Sequence, residues 1–465
     1  MSSARRPALA AACALALALP VLVGGSAAGA PTAVPAPPAA PAVVLPVADG
    51  APSPAPTTSD KAMVAAVAKA LRAAPLGSDT TAIVLDVASG DVIVGDDETR
   101  AQVPASTAKT LTAVTALSAL GPSTRLRTAV VTGATAGEIV LVGGGDATLT
   151  RTPAKPGQLP AGQAARPASL SDLARATAKA LKASGITAVS VRIDDSAFRG
   201  PRTAAGWPDS YVSTGVVSPV SALSADSGRV SADSRVRDTD PALAAGRYFA
   251  DRLATSGIAV SPAVTRTVAA AGATPIASVL SPTVADLVER MLTDSDNDLA
   301  EALAHLAGGK LVGDPSFAGG ATATLQVVEA LGVPTTGLAL SDGSGLSRRD
   351  AVSARTLAGV LAAAARDEPP VGTTAGILWP TSTGLPIAGV TGTLAERFDT
   401  PGTDPGRGVV RAKTGTLSGV VTLAGMTRDS EGRLRVFAFL ADASPGPLLD
   451  AQAALDRAAA AVAAG

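Results

Sequence analysis

Residues 106–109 read Ser-Thr-Ala-Lys, residues 295–297 read Ser-Asp-Asn, and residues 413–416 read Lys-Thr-Gly-Thr. Each string is short, but the composition of the chain makes it informative. The chain has 8 Lys against 30 Arg, and Asn297 is its only Asn. Coincidence of all three strings is therefore improbable, and we interpret them as parts of one site.

The first string supplies a serine and a lysine to one helical face. Apolar residues at helical spacing follow Pro104–Ser106 and stop at Gly121-Pro122, which predicts a helix between them. Lys109 lies three residues after Ser106, on the same face. A serine hydroxyl needs a neighbouring base to become a good nucleophile, and Lys109 is the candidate. The alternative is an ordinary serine-capped helix with a solvated lysine.

The second string places a hydroxyl and a carboxamide two residues apart. Ser295 could relay a proton to a leaving amine, and Asn297 could hydrogen-bond a substrate peptide carbonyl. The alternative is a cap for the helix that follows, and both roles are compatible.

The third string follows a β-rich run and is predicted to lie along a strand edge. The charge of Lys413 and the hydroxyls of Thr414 and Thr416 could bind a carboxylate, and Gly415 would let a substrate backbone approach closely. The amides of Thr416 and Ser106 could form an oxyanion hole. The alternative is a strand-to-turn connection.

Composition excludes several other classes of function. The formal net charge is −1, and aromatic residues make up 2% of the chain, so no nucleic-acid partner is expected. His305 and Cys13 are the only His and the only Cys, which argues against His/Cys metal sites. We expect neither a metal nor an organic cofactor.

The N-terminal residues resemble an export signal. Arg5 and Arg6 precede the apolar run Ala8–Gly25, and Ser26–Ala28 fits a small-residue cleavage site. We therefore predict a cleaved signal peptide at 1–28 and an extracytoplasmic protein. The alternative is an uncleaved membrane anchor that spans the bilayer. Peripheral association with the membrane or with the cell wall is a further alternative.

The rest of the chain divides by composition and periodicity. A Pro/Ala-rich linker at 29–58 precedes a first catalytic part at 59–120, an inserted α/β region at 121–275 and a second catalytic part at 276–465. The insertion contains low-complexity loops such as 152–168. Strand patterns at 81–94 and 408–441 predict one antiparallel sheet shared by the two catalytic parts.

Together the three strings resemble those of the active-site-serine penicillin-binding proteins. The 185 residues between Lys109 and Ser295 resemble the large insertion of the D-alanyl-D-alanine carboxypeptidase/endopeptidase family, the low-molecular-mass class C penicillin-binding proteins. Residues 143–149 resemble that family's Gly-Gly-Asp-Pro-x-Leu segment, with Ala147 in place of Pro. Residues 342–348 resemble its Asp-Gly-Ser-Gly-Leu-Ser-Arg segment.

The resemblance implies a fold, a reaction and roles for named residues. The fold would be α/β, a β-lactamase-like α-β-α sandwich with an antiparallel sheet. The enzyme would remove terminal D-Ala from peptidoglycan stem peptides, cleave D-Ala–diaminopimelate cross-links, or do both, and β-lactam antibiotics would inhibit it covalently. Ser106 would be the nucleophile and Lys109 the base, with Ser295, Asn297 and Lys413 also catalytic. Thr414, Gly415 and Thr416 would bind substrate, and Asp146 and Arg348 would hold the free end of diaminopimelate. His305 is expected to be a packed helix residue.

Two other functions remain open at this point. A β-lactamase shares the three strings, but some class A enzymes use a dedicated Glu together with an Asn for deacylation, and the only Asn here is already assigned. A catalytically silent cell-wall-binding protein could keep the fold, although the intact nucleophile, base and carboxylate pocket argue against it.

Overall fold

The computed structural model describes residues 58–154, 166–231, 233–367 and 376–465. The predicted export signal, all of the predicted linker except residue 58, and residues 155–165 of the predicted loop lie outside the described residues. Within the described ranges, no helix is both long enough and apolar enough to cross a bilayer.

The secondary structure alternates helices and strands along the chain. The helices are α1 (Thr58–Leu71), α2 (Lys109–Leu120), α3 (Leu170–Ala183), α4 (Ser210–Ser213), α5 (Pro241–Thr255), α6 (Val284–Asp294), α7 (Asn297–Val312), α8 (Phe317–Ala330), α9 (Ala354–Arg366), α10 (Trp379–Thr383) and α11 (Leu448–Ala464). The strands are β1 (Thr80–Asp86), β2 (Val92–Asp96), β3 (Ala101–Gln102), β4 (Arg125–Thr132), β5 (Glu138–Val142), β6 (Ala188–Asp194), β7 (Ala259–Val260), β8 (Thr265–Arg266), β9 (Pro275–Thr283), β10 (Val352–Ser353), β11 (Arg411–Leu417), β12 (Val420–Arg428) and β13 (Leu434–Ala441).

The five-stranded sheet carries the third motif and joins the two ends of the described chain. Its strand order is β11-β12-β13-β1-β2, with every neighbouring pair antiparallel. The N-terminal hairpin β1–β2 adds to the C-terminal strands through β1 and β13, where Thr80 pairs with Ala441. This confirms the predicted sheet.

Helices cover both faces of this sheet. On one face, α2, α6, α7 and α9 enclose a core that includes Leu111, Leu303 and Leu357. On the other face, α1 and α11 pack together over Phe437 and Phe439. Strands β12 and β13 are apolar along most of their length because both of their faces are buried. The fold is the expected α-β-α sandwich.

A second sheet lies between β3 and α6 in the sequence. Its order is β7-β6-β5-β4-β9, with β8 also paired to β6, and it contains both parallel and antiparallel neighbours. Helices α3 and α5 contribute to its own apolar core. Strand β9 extends this sheet to Thr283, beyond the predicted end of the insertion at residue 275.

Residues 284–312 form two helices, α6 and α7, rather than one continuous helix. Ser295 adopts a left-handed conformation, with φ of 56°, and ends α6. The Asp296 carboxylate then accepts a hydrogen bond from the Leu299 amide and caps α7. The break exposes the second motif at a junction, where a continuous helix would have turned part of it into the core.

Asp60 on α1 takes part in a buried ion cluster. Arg435 on β13 donates to Asp60, Asp86 and Asp429 at 2.9, 2.7 and 3.0 Å, with its side chain 2% exposed. The cluster ties the first helix of the described chain to the central sheet. Its three carboxylates surround the buried guanidinium of Arg435, and the more exposed Arg433 also pairs with Asp60 and Asp429.

Replacing Arg435 by Met should therefore lower the free energy of unfolding by about 3–5 kcal/mol, the usual cost of leaving buried charge uncompensated. Chemical denaturation of both proteins would measure the difference. Arg175→Met is the matched control, since the side chain of Arg175 is 69% exposed and its ion pair with Asp172 should contribute about 1 kcal/mol or less. Equal losses in the two variants would contradict this account of the cluster.

Candidate active site

Ser106 lies in a short, strained turn that leads into α2. Residues Ala105–Ala108 form a 3₁₀ turn, and α2 begins at Lys109. Ala105 has a φ of 47°, which is unusual for a residue with a side chain. Ser106 remains partly exposed, whereas Lys109 is fully buried. The turn thus presents the serine to solvent with the lysine amine behind it.

The Lys109 amine contacts three oxygen atoms. Its Nζ lies 3.0 Å from Ser106 Oγ, 2.8 Å from Asn297 Oδ1 and 2.7 Å from the Ser344 carbonyl oxygen. Two of these partners are carbonyl oxygens and can only accept. A neutral amine has two N–H bonds and one lone pair, so satisfying both carbonyls directs the lone pair toward Ser106. The arrangement lets neutral Lys109 accept the serine proton.

The surroundings of Lys109 increase the fraction of the amine that is neutral. Burial lowers the pKa of Lys109 to about 8, while the carboxyl groups of Asp342, Glu301, Asp296 and Asp298 oppose that shift. At pH 7 roughly one amine in ten is then neutral, far more than for a solvated lysine.

Asn297 connects the nucleophile to the inserted region. Its Oδ1 accepts from Lys109, and its Nδ2 donates to the Val216 carbonyl at 2.9 Å. The sequence predicts a hydrogen bond from this amide to a substrate carbonyl. In the structure, both the oxygen and the nitrogen of the amide bond to the protein itself. Ser295 and Asn297 line a cavity of about 290 Å³ together with Val216 and Arg229.

Lys413 on the edge strand β11 is also fully buried. Its Nζ donates to the Thr414 carbonyl at 2.9 Å. Burial, with the nearby charge of Lys109, lowers the pKa of Lys413 well below its ordinary value. The Thr414 hydroxyl is 2.9 Å from that of Thr393, and Thr416 is exposed. The motif therefore carries a second amine and two hydroxyls on the strand that packs against the turn before Ser106.

The structure explains the glycine at position 415 by packing within the protein, a reason different from the predicted approach of a substrate backbone. A Cβ at this position would lie 2.0 Å from Thr422 Oγ1 and 2.8 Å from the Pro104 carbonyl oxygen. The missing side chain thus lets the turn before Ser106 pack directly on β11. The glycine sets the distance between the first and third motifs.

Asp146 and Arg348 are not in contact with each other. Asp146 is buried in a turn and accepts from the Thr148 amide and hydroxyl at 2.8 and 2.6 Å, and burial raises its pKa. Arg348 is exposed and donates to the Ser418 carbonyl at the β11–β12 turn. Their joint role at a substrate amino acid stays a prediction.

His305 is packed inside the helical layer, as expected from the sequence. Its Nδ1 is 2.8 Å from the Glu301 carbonyl oxygen, and its ring contacts Phe198 and Phe317. Burial lowers the pKa of His305 to about 4, so the ring is neutral near pH 7.

The sequence analysis missed two acidic residues on α7, the half-buried Asp298 and the fully buried Glu301. Asp298 accepts from the Ser218 amide at 2.6 Å and pairs with Arg237 at 3.1 Å, which attaches the inserted region to the second motif. Glu301 binds the backbone of the segment that reaches Lys109. Its position four residues after Asn297, on the same helical face, was the one available signal.

The fold and this site define an active-site-serine acyl-transfer enzyme of the penicillin-binding-protein and β-lactamase class. The sequence model of the D-Ala-D-Ala carboxypeptidase 3 (S13) family matches residues 63–238 and 231–462, and the chain belongs to that family. It is therefore a serine-type D-Ala-D-Ala carboxypeptidase, as the motifs predicted.

Individual relatives agree with this assignment. The chain is 36% identical to carboxypeptidase Rv3627c of Mycobacterium tuberculosis over 427 residues, covering 90% of this chain and 87% of that protein. It is 35% identical to carboxypeptidase DacB of Mycolicibacterium smegmatis over 414 residues, covering 87% and 85%. The fold is similar to that of penicillin-binding protein 4 from Haemophilus influenzae, with a TM-score of 0.69, 24% identity, and coverage of 84% and 97%.

Since neutral Lys109 accepts the proton in this arrangement, release of D-alanine from an acyl-D-Ala-D-Ala peptide should rise with pH through about 8 and then level off. Lys109→Arg should lower this rate by about 10²–10⁴-fold at every pH, because arginine keeps its proton. The exposed Lys310→Arg on α7 is the matched control. Near-parental activity of Lys109→Arg would show that Ser106 loses its proton by another route.

Proposed function

We propose that this protein is an exported DD-peptidase that processes peptidoglycan stem peptides through an acyl-enzyme on Ser106. The observation that carries the proposal is the geometry of the Lys109 amine. Two carbonyl acceptors hold its N–H bonds at 2.7 and 2.8 Å while Ser106 Oγ lies 3.0 Å away. A lysine held in this way is a base aimed at one hydroxyl.

The proposed reaction has two steps. Ser106 Oγ attacks the carbonyl carbon of the penultimate D-Ala as Lys109 takes its proton, and the amides of Ser106 and Thr416 stabilise the oxyanion. The C–N bond then breaks, and the departing amine receives a proton through Ser295. Water hydrolyses the resulting ester with Lys109 again as base, which regenerates Ser106 and releases the shortened peptide.

Lys413 and its neighbours would select the substrate by its C-terminal carboxylate. The Lys413 amine is buried and its pKa is low in the free enzyme, so an arriving carboxylate would provide the charge partner it lacks. Thr414 and Thr416 add hydroxyl donors on the same strand. This favours substrates with a free terminal D-Ala.

Cross-linked peptides are the second proposed substrate class. In a D-Ala–diaminopimelate cross-link, the scissile bond follows a D-Ala, so the same attack by Ser106 would open it. Support comes from the inserted region, which borders the site through Val216 and Arg237 and adds surface for a larger leaving group. Asp146 and Arg348 stay the proposed ligands of its free end.

The proposed location is outside the cytoplasmic membrane. Its support is the positively charged, apolar N-terminal sequence with small residues at 26–28. Peptidoglycan stem peptides are found in that compartment, so location and substrate agree.

The test of the acyl-enzyme uses labelled penicillin, whose strained amide should acylate Ser106. We expect stable labelling of the parent protein and none of Ser106→Ala, with the free energy of unfolding changed by less than about 2 kcal/mol. Ser118→Ala, an exposed change on α2, is the control and should label normally. Rapid loss of the label would instead indicate a β-lactamase. Absence of label on the parent would indicate a silent wall-binding protein.

The balance between the two peptidase activities is measured with defined substrates. Incubation with a monomeric pentapeptide should release D-alanine, and incubation with a cross-linked muropeptide should release two monomers. Ser106→Ala should abolish both. If the muropeptide stays intact while the pentapeptide is trimmed, the proposed endopeptidase activity is wrong and the carboxypeptidase activity stands.

A further inference from the structure

The loop segment Asp342–Gly345 lies directly behind Lys109. The Ser344 carbonyl accepts from Lys109 Nζ at 2.7 Å. The N–H of that same peptide group belongs to Gly345 and donates to Asp342 Oδ1 at 2.6 Å. One peptide group therefore joins the lysine amine to a carboxylate, and each hydrogen bond polarises the other.

Glu301 on α7 holds the preceding peptide groups of the same segment. It is fully buried, and its carboxylate accepts from the Gly343 amide at 3.0 Å and from the Ser344 amide at 2.8 Å. The Gly343 carbonyl accepts from the Thr112 hydroxyl on α2 at 2.6 Å. These bonds fix the direction of the Ser344 carbonyl.

The segment also has no room to shift. A Cβ on Gly345 would lie 1.9 Å from the Ala105 carbonyl oxygen, and one on Gly343 would lie 2.6 Å from Ala304 Cβ. The segment is therefore packed between the turn that carries Ser106 and the helix that carries Glu301. A displacement of the Glu301 carboxylate is therefore transmitted to Lys109 through the rigid segment 342–345.

Other charged groups also face Lys109. Asp296 and Asp298 at the start of α7 oppose the lowering of its pKa, and Lys413 on β11 is close enough for the charge of Lys109 to lower the pKa of Lys413. Among the described residues, arginines lie within 4 Å of Asp296 and Asp298, at 3.7 and 3.1 Å, but no such ion pair involves Glu301.

Asp342, on the loop side of Lys109, resembles Glu301 in this respect. In the described ranges no arginine or lysine lies within ion-pair distance of Asp342, which accepts instead from the Trp207 indole N–H at 2.6 Å. Asp350 packs against Asp342, and burial and that neighbour raise the pKa of Asp350 to about 10, so it is neutral near pH 7. Glu301 and Asp342 are thus the carboxyl groups near Lys109 without a cationic partner of their own.

Burial and Asp342 raise the pKa of Glu301 to about 8, against the effect of the two amides and of Lys109. Lys109 itself loses its proton near the same pH. Glu301 is therefore negatively charged over the upper half of the pH range in which Lys109 loses its proton.

We propose that Glu301 is a positioning residue for the acylation step, which aims the Ser344 carbonyl at Lys109 and, by its charge, sets the pH at which Lys109 becomes a base. The inference rests on the proposed acyl-enzyme mechanism. The Glu301 side chain would act in two ways. Its hydrogen bonds orient the Lys109 amine through Ser344, and its negative charge stabilises the protonated form of that amine.

Glu301→Gln tests the charge with little change of shape. The Gln oxygen can still accept from the Ser344 amide, but the negative charge is gone. The rate of penicillin acylation, measured from pH 5.5 to 10, should then rise at a pH lower by about one unit than in the parent. A residue with only a structural role would lower the rate equally at all pH values and leave the midpoint in place.

The controls separate this inference from the mechanism on which it depends. Glu329→Gln, the same change on the exposed face of α8, should leave both rate and midpoint unchanged. If the parent shows no acylation, or acylation independent of pH, the proposed function fails. If the parent shows the pH-dependent rise and Glu301→Gln has the parental midpoint, the proposal for Glu301 alone is overturned.

A second variant covers the case in which Glu301→Gln does not fold, judged by its far-ultraviolet circular dichroism. Asp342→Asn removes the other carboxylate without a cationic partner and should shift the midpoint in the same direction. An unshifted midpoint in that variant, or a shift to higher pH in either one, overturns the inference.

Discussion

The burial of the Lys109 amine is the constraint to which the rest of the site conforms. A lysine with no access to solvent must find its hydrogen-bond partners in the protein, and here they come from a turn, a helix and a loop distant in sequence. Each partner is a neutral oxygen. The site therefore solvates the amine well enough to place it without fully stabilising its charge, and its pKa falls.

This constraint explains why the inserted region matters to the chemistry even though it forms a sheet of its own. The lone Asn of the chain can offer its oxygen to Lys109 only if its amide nitrogen has an acceptor, and the Val216 carbonyl provides it. The next residue, Asp298, binds the Ser218 amide and Arg237. The second motif is thus held between the catalytic core and the insertion, and the orientation of Asn297 depends on both.

The parts of the structure that the sequence predicted are those with a local signature. The spacing of Ser106 and Lys109, the single Asn beside Ser295, and the strand patterns at 81–94 and 408–441 can all be read from neighbouring residues. These features appear where they were expected. Glu301 was missed because a carboxylate that binds backbone amides across the fold has no characteristic spacing. Gly415 was predicted as a site residue, but its packing against Pro104 and Thr422 was not, because both residues are distant from it or across a strand pair.

Backbone strain at the site shows what the surrounding core has to support. Ala105, just before the nucleophile, and Ser295, in the second motif, both have left-handed backbones that cost of order 1–3 kcal/mol each. Neither conformation would persist in an isolated segment. Ala105 is held by contact with the loop at Gly345, and Ser295 by the Asp296 cap of α7. Both contacts involve segments that are attached to helices of the same apolar core. The stability of that core and the geometry at Ser106 are therefore coupled. A cavity opened under α2 or α7 would relax the strained turns before it unfolded the sheet.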